Sequence, residues 1–143
     1  MQVLVAYESR GGHTRQAAEA IAVAIRALGS EATVKSLKET TAADVGRSDA
    51  IAVGTWVEGF LFFGVGPAKT ALGGVRQLPS LEGKRAAVFC TYGLNPRDTL
   101  AVLGKALQGK GAKVVAENAA NRSHPDQGAN ALAKAICMPS EGF

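Results

Sequence analysis

Cysteine is scarce in this sequence. Cys90 and Cys137 are the only two, and they share no C-x-x-C or metal-ligand spacing. That excludes a zinc module and a C-x-x-C redox motif, and each thiol ends an apolar or helical pattern where it reads as packed. His13 and His124 stand too far apart to suggest a metal set, so no metal site is expected. No apolar run approaches the ~18 residues of a membrane-spanning helix. No basic leader or cleavage site precedes the first apolar run, which makes a cytoplasmic protein the expectation. Lys and Arg outnumber Asp and Glu by 16 to 12 for a net charge of +4, yet they are scattered. Without a basic stripe interleaved with aromatics, nucleic acid is not the expected partner; an acidic protein or an anionic ligand is. Repeats, linkers and low-complexity tracts are missing too, so residues 1–143 are expected to form one domain.

What is present is an alternation of strand and helix patterns. Val3 to Tyr7 is an apolar strand, followed by an alanine-rich helix from Arg15 to Leu28, which Gly29 terminates. Ala32 to Leu37 alternates as a second strand, and Thr40 to Val45 forms a helical turn with Thr41 as N-cap. Ala50 to Gly54 is a compact apolar run of the kind buried on both faces of a parallel sheet. Pro67 opens a helix running to about Gln77. Ala86 to Cys90 is another buried strand, after which Asn95 caps a helix with Pro96 at its first position and an end near Gln108. Lys113 to Glu117 is the fifth strand. A polar loop follows, and Asp126 caps a last helix ending near Cys137. Five strands alternating with helices over short connections imply an α/β fold, a parallel sheet covered on both faces.

Between the first strand and the first helix lies Ser9-Arg10-Gly11-Gly12-His13-Thr14. A helix N-terminus exposes unpaired N–H groups and carries about half a positive charge. Gly11 and Gly12 permit close approach to the backbone, Ser9 and Thr14 add hydroxyl donors, and Arg10 adds charge. The stretch reads as a phosphate cradle. It is neither a Walker loop, which requires Gly-Lys-Ser/Thr, nor a GxGxxG turn. The alternative is a structural turn capped by Ser9 or Thr14.

In a doubly wound sheet, ligands bind outside the carboxyl ends of the strands. Two further loops would converge there. The loop from Thr55 to Gly66 contains Trp56, Val57, Glu58, Gly59 and three phenylalanines; the loop after the fourth strand begins Thr91-Tyr92-Gly93. Aromatics beside a phosphate cradle suggest a planar ring, with Gly93 leaving N–H groups free to face its polar edge. Phosphate at one end and a flat heterocycle at the other describe a mononucleotide, and flavin mononucleotide (FMN) fits best. Trp56 and Tyr92 read either as ring-stacking or as packed residues. Glu58 reads as a solvated carboxylate, His13 as an exposed helix residue, and His124 as ordering the loop before Pro125. Phe60-Leu61-Phe62-Phe63 is either a contact patch or a cover over the cofactor or core. A hydrolytic triad from Ser9, Ser123, His124 and Asp126 is set aside, because neither serine sits in a Gly-x-Ser-x-Gly elbow.

These motifs give the chain a resemblance to the flavodoxin-like family over nearly its whole length. Flavodoxins carry Thr/Ser-x-Thr-Gly-x-Thr after the first strand; Ser9, Gly12 and Thr14 match it, while Gly11 replaces a hydroxyl residue. A Ser-Arg-x-Gly-x-Thr-Arg version is similar to that of flavodoxin-type protoporphyrinogen oxidases. Trp56 and Tyr92 are similar in position to residues that flank the isoalloxazine, and Ser123-His124-Pro125-Asp126 resembles the opening of the family's last helix. The resemblance implies a doubly wound sandwich with five parallel strands in the order 2-1-3-4-5, FMN as cofactor, and an electron-transfer role in which the flavin carries the chemistry and no side chain is catalytic. Two other readings stay open: a small FMN-dependent oxidoreductase acting on a quinone, porphyrinogen or similar apolar acceptor, and a flavin-free binding module. Flavodoxins that carry electrons are usually acidic. A basic chain with Arg10, Lys69 and Arg97 at the rim implies instead a redox partner that is acidic at its docking surface.

Overall fold

The computed structural model describes residues 1–60 and 63–138. In chain order it forms β1 (Gln2–Tyr7), α1 (His13–Ala27), β2 (Glu31–Ser36), a 3₁₀ turn (Leu37–Glu39) and α2 (Ala42–Arg47). There follow β3 (Ala50–Phe60), β4 (Phe63–Pro67), α3 (Lys69–Gln77), β5 (Arg85–Tyr92), α4 (Thr99–Gln108), β6 (Lys113–Asn121) and α5 (Ala129–Cys137). The sheet order is β2-β1-β3-β5-β6, all parallel, with β4 paired antiparallel to β3. The five parallel strands are those expected, in the expected order; β4 is an addition. From β1 the chain goes to β2 on one side and to β3 on the other, so the switch point opens between β1 and β3.

Period-two alternation sends each strand's residues to two separate cores. Leu4, Ala6, Ile51, Val53, Ala86 and Val88 face one way, against Val45 of α2, Ala71 and Val75 of α3 and Leu103 and Leu107 of α4. Val3, Val5, Ala50, Ala52, Ala87 and Phe89 face the other way, against the small-residue side of α1 and Leu132, Ala133 and Ile136 of α5. Alanines at 17, 18 and 133 let α1 and α5 approach the sheet closely. The central strands are therefore apolar on both faces, which is why their runs were legible as strands without any alternation of polarity.

Four expected boundaries are corrected. The expected loop from Thr55 to Gly66 is largely strand: β3 continues to Phe60 and pairs antiparallel with β4 from Phe63, so Pro67 ends a strand paired with Val57 and α3 begins at Lys69. Leu61 and Phe62 of the expected aromatic patch lie outside the described residues, and Phe63 is exposed. Asn95 does not cap a helix. Its Oδ1 accepts the Arg97 N–H at 2.8 Å, Arg97 adopts φ 52°, and that left-handed residue delays α4 to Thr99. Nor does the Asp126 side chain cap α5, which starts after Gly128 at φ 81°, pressed against the Asn118 side chain. Finally, β6 runs four residues past Glu117, paired with β5 through Tyr92 and Asn121.

The expected cap at Thr41 is present as a reciprocal capping box. Thr41 Oγ1 accepts the Asp44 N–H at 3.1 Å and Asp44 Oδ2 accepts the Thr41 N–H at 2.9 Å. The same buried carboxylate accepts hydrogen bonds from Lys35 Nζ at 2.9 Å and from Arg47 Nη2 at 2.7 Å. The Lys35 bond first, and the Thr41 N–H second, hold the Asp44 carboxyl well below the usual carboxylate range, against the opposing effect of burial. A depressed folded-state pKa stabilises the fold above the unfolded-state value, about 4, and that stabilisation is lost as pH falls through the folded value. Asp44→Asn is accordingly expected to lower the urea midpoint at pH 7, with the gap to wild type closing as the pH is taken below about 4. A gap that stays constant with pH would contradict the assignment.

Candidate functional site

At the carboxyl ends of β1, β3 and β5 a cleft of about 700 Å³ opens. The α1 turn supplies Arg10, Gly11, His13 and Thr14 to its lining, the β3–β4 hairpin supplies Trp56, Val57, Glu58, Gly59 and Gly64, and the end of β5 supplies Thr91, Tyr92 and Gly93. Eleven of the fourteen expected binding residues therefore meet in one place. Ser9, Gly12 and Thr55 are the other three, and each builds the frame. Ser9 Oγ accepts the N–H groups of Gly12 at 3.1 Å and Arg15 at 3.4 Å, and Gly12 takes the left-handed N-cap conformation at φ 90°. Thr55 is buried; its Oγ1 donates to the Trp56 carbonyl and accepts the Ala68 N–H at 3.1 Å, joining β3 to the start of α3.

The two Ser9 bonds matter for what is left over. A helix has four N–H groups without intrahelical partners. In α1 these belong to Gly12, His13, Thr14 and Arg15; Ser9 takes the first and last, leaving those of His13 and Thr14 without a partner among the described residues. Both residues line the cleft, at the positive end of a fifteen-residue helix. The turn is thus capped by Ser9, as the structural alternative proposed, and still presents two backbone donors to an anion.

At the other end, the Arg10 guanidinium lies over the Trp56 ring, 4.8 Å from its centroid. Such a cation–π contact at a partly exposed site contributes about 0.5–1 kcal/mol. Trp56 also packs against the core beneath. Glu58 Oε1 accepts the Lys69 N–H at 3.2 Å and so caps α3. That bond lies at an exposed site, so the carboxylate expected to be solvated also serves the helix start. The Cys90 thiol, one residue before the cleft, is buried; burial first, and the Glu117 charge second, push it up to about 12, which leaves it unreactive. Among the described residues no group of His, Cys, Asp and Glu could hold a metal ion, and no helix is long and apolar enough to cross a membrane.

Lys69 from the expected basic rim reaches the cleft, whereas Arg97 lies beside a neighbouring groove with Gly64, Val65 and Asp98. Arg122 lines the cleft and was not anticipated. Its N–H donates to the Tyr92 carbonyl at 2.8 Å, and its guanidinium packs where a side chain at Gly93 would stand. Only the continuation of β6 to Asn121 brings it there, and four strand residues read as a polar loop hid that. The lining therefore carries Arg10, Lys69 and Arg122 against the single carboxylate of Glu58.

The family model described as a flavodoxin domain matches residues 4–120. The chain belongs to the flavodoxin family. Among curated proteins, none matches the sequence. The fold of this flavodoxin domain is similar to that of the two-electron reduced flavodoxin of Megasphaera elsdenii, with a TM-score of 0.71 and 22% identity, covering 93% of this chain and 99% of that one. A Streptococcus pneumonia TIGR4 flavodoxin is similar at a TM-score of 0.78 and 17% identity, over 98% of this chain and 100% of that one. Rubredoxin oxygen:oxidoreductase from Desulfovibrio gigas is similar at a TM-score of 0.78 and 18% identity, over 94% of this chain but only 35% of that larger one. The flavodoxin fold thus occurs in these relatives both alone and within a longer redox enzyme.

Proposed function

We propose that this cleft binds FMN and that the chain is an electron-transfer flavoprotein serving a larger redox partner. The observation that carries the reading is that one cleft is lined both by His13 and Thr14, with their unpartnered N–H groups, and by the aromatics Trp56 and Tyr92. Phosphate fits the first feature and a planar ring the second; the volume is within the range of about 300–1,000 Å³ that small-ligand sites occupy. Bound FMN supplies one- and two-electron chemistry of its own. The chain's part is to hold it. The α1 turn would anchor the phosphate, the hairpin and the Thr91–Gly93 turn would hold the ring and limit its contact with water, and Arg10, stacked on Trp56, would add a positive charge to the same cleft. Family membership supports the cofactor, and the relatives named as flavodoxins support electron transfer over catalysis by a side chain.

The balance of charge supports a partner that is acidic where it docks. Arg10, Lys69 and Arg122 line the cleft, so association with such a partner would be fast at low ionic strength and would weaken with salt. Two free thiols fit a reducing compartment, and we place the protein in the cytoplasm.

The test is a titration of the purified protein with FMN, read by flavin fluorescence, followed by anaerobic stepwise reduction read by absorbance. Binding with a Kd below about 1 μM, or about −8 kcal/mol, is expected. Reduction in two separate one-electron steps supports the carrier; a single two-electron step that turns over with a quinone supports the small oxidoreductase. Failure to bind FMN overturns both and leaves the flavin-free module.

A further inference from the structure

Thr14 Oγ1 and Thr91 Oγ1 lie 2.7 Å apart, both side chains buried, at 1% and 3% exposure. The first sits in the opening turn of α1, the second near the end of β5, so this bond joins the turn before α1 to the carboxyl end of that strand. Two hydroxyls bring two protons, and one bond uses one of them. The other has no acceptor among the described residues. A buried donor left unmade costs about 1–3 kcal/mol, so the pair is arranged for an acceptor supplied from outside.

Resting on the FMN reading above, we propose that Thr91 is a positioning residue for the phosphate, acting through Thr14. Thr91 donates to Thr14 Oγ1, which turns the Thr14 proton towards the cleft, beside the free N–H groups of His13 and Thr14. That direction is favoured because those groups already gather positive potential where the anion sits, and a bond to a charged acceptor is about twice as strong as a neutral one. A hydroxyl that accepts one bond also donates its other more strongly. Held by Thr91, the β-branched Thr14 side chain, already stiff at χ1, presents its proton with little further ordering. In this chain, where Gly11 lacks a hydroxyl, Thr14 is the hydroxyl of the turn that lines the cleft, and its alignment sets how strongly the site prefers a phosphorylated flavin.

The test compares FMN with riboflavin, which has the ring and lacks the phosphate, in wild type, Thr91→Val and Thr91→Ser. Thr91→Val keeps the shape and removes the donor. The FMN-to-riboflavin affinity ratio is expected to fall about tenfold in Thr91→Val and to return in Thr91→Ser. In a Thr14→Val background, Thr91→Val is expected to change the ratio no further, since the two act as one unit. Riboflavin binding and circular dichroism report folding, and Thr91→Ala replaces Thr91→Val if the latter does not fold. An unchanged ratio, equal losses of both ligands, or additive losses in the double variant would overturn the proposal while leaving FMN binding intact. A wild-type protein that binds neither flavin would overturn the cofactor reading itself, and this inference with it.

Discussion

Gly54→Val is expected to destabilise the protein by about 3 kcal/mol or more, the upper end of what overpacking costs. Gly54 pairs with Phe89 across β3 and β5, and both point to the core shared with α1 and α5. The Phe89 ring folds flat over Gly54, so that a Cβ there would collide with three of its ring carbons. At 1% exposure the ring has nowhere to retreat, because Val5, Ala17, Ala18 and Leu132 belong to the same core. A glycine in a strand interior usually weakens it, and here the neighbouring aromatic fills the gap that the missing side chain leaves. Urea unfolding of Gly54→Val, Phe89→Ala and the double variant checks this. Phe89→Ala alone should cost about 3–5 kcal/mol, and the double variant should lose much less than the sum, since valine then occupies part of the vacated space. Additive losses would mean that the two residues do not share that space.

The parts of the fold read correctly from sequence are those where local composition and burial agree. Ala50 to Val53 and Ala86 to Cys90 are runs that only a central parallel strand can use, and Gly29 and Thr41 end or begin helices by their own backbone and side-chain chemistry. The misread parts depend on residues distant in sequence. Trp56, Val57 and Phe60 have strand propensity, but the pairing partner that makes them a strand is a second short run, Phe63 to Pro67, folded back antiparallel within a βα pattern that predicts none. Asn95 and Asp126 are good caps by type, yet Arg97 and Gly128 take left-handed conformations that postpone both helices. At the site, the spacing of Ser9, Gly12 and Thr14 was enough to propose an anion cradle. It could not show that Ser9 spends its acceptor on Gly12 and Arg15, or that Thr14 is held by a residue 77 positions away. Arg122 follows the same rule. It enters the cleft through strand pairing, and no local pattern marks it.

The largest effect on binding, as distinct from stability, is expected at Gly59. This residue has φ 103° and sits where the β3–β4 register shifts between Glu58 and Phe60, so it is the bulged position of the hairpin. A Cβ there would run into the backbone of Gly64 and Val65, which no rotamer change can relieve. Gly59→Ala therefore combines a left-handed penalty of about 1–2 kcal/mol with a backbone collision. The hairpin must open to accept it, carrying Glu58 off the Lys69 N–H and moving the wall formed by Trp56 and Val57. Neither core cluster includes Val57, Glu58 or Gly59, so the urea midpoint should shift far less than in Gly54→Val. FMN affinity, by contrast, should fall on the order of a hundredfold, because restoring the displaced wall would cost about 2–3 kcal/mol of strain. Gly66→Ala is the control within the same hairpin: a Cβ there meets nothing within 4 Å. Equal losses in the two variants would assign the effect to general loosening of the hairpin. A loss confined to Gly59→Ala would tie FMN binding to the one backbone conformation that holds β4 against β3.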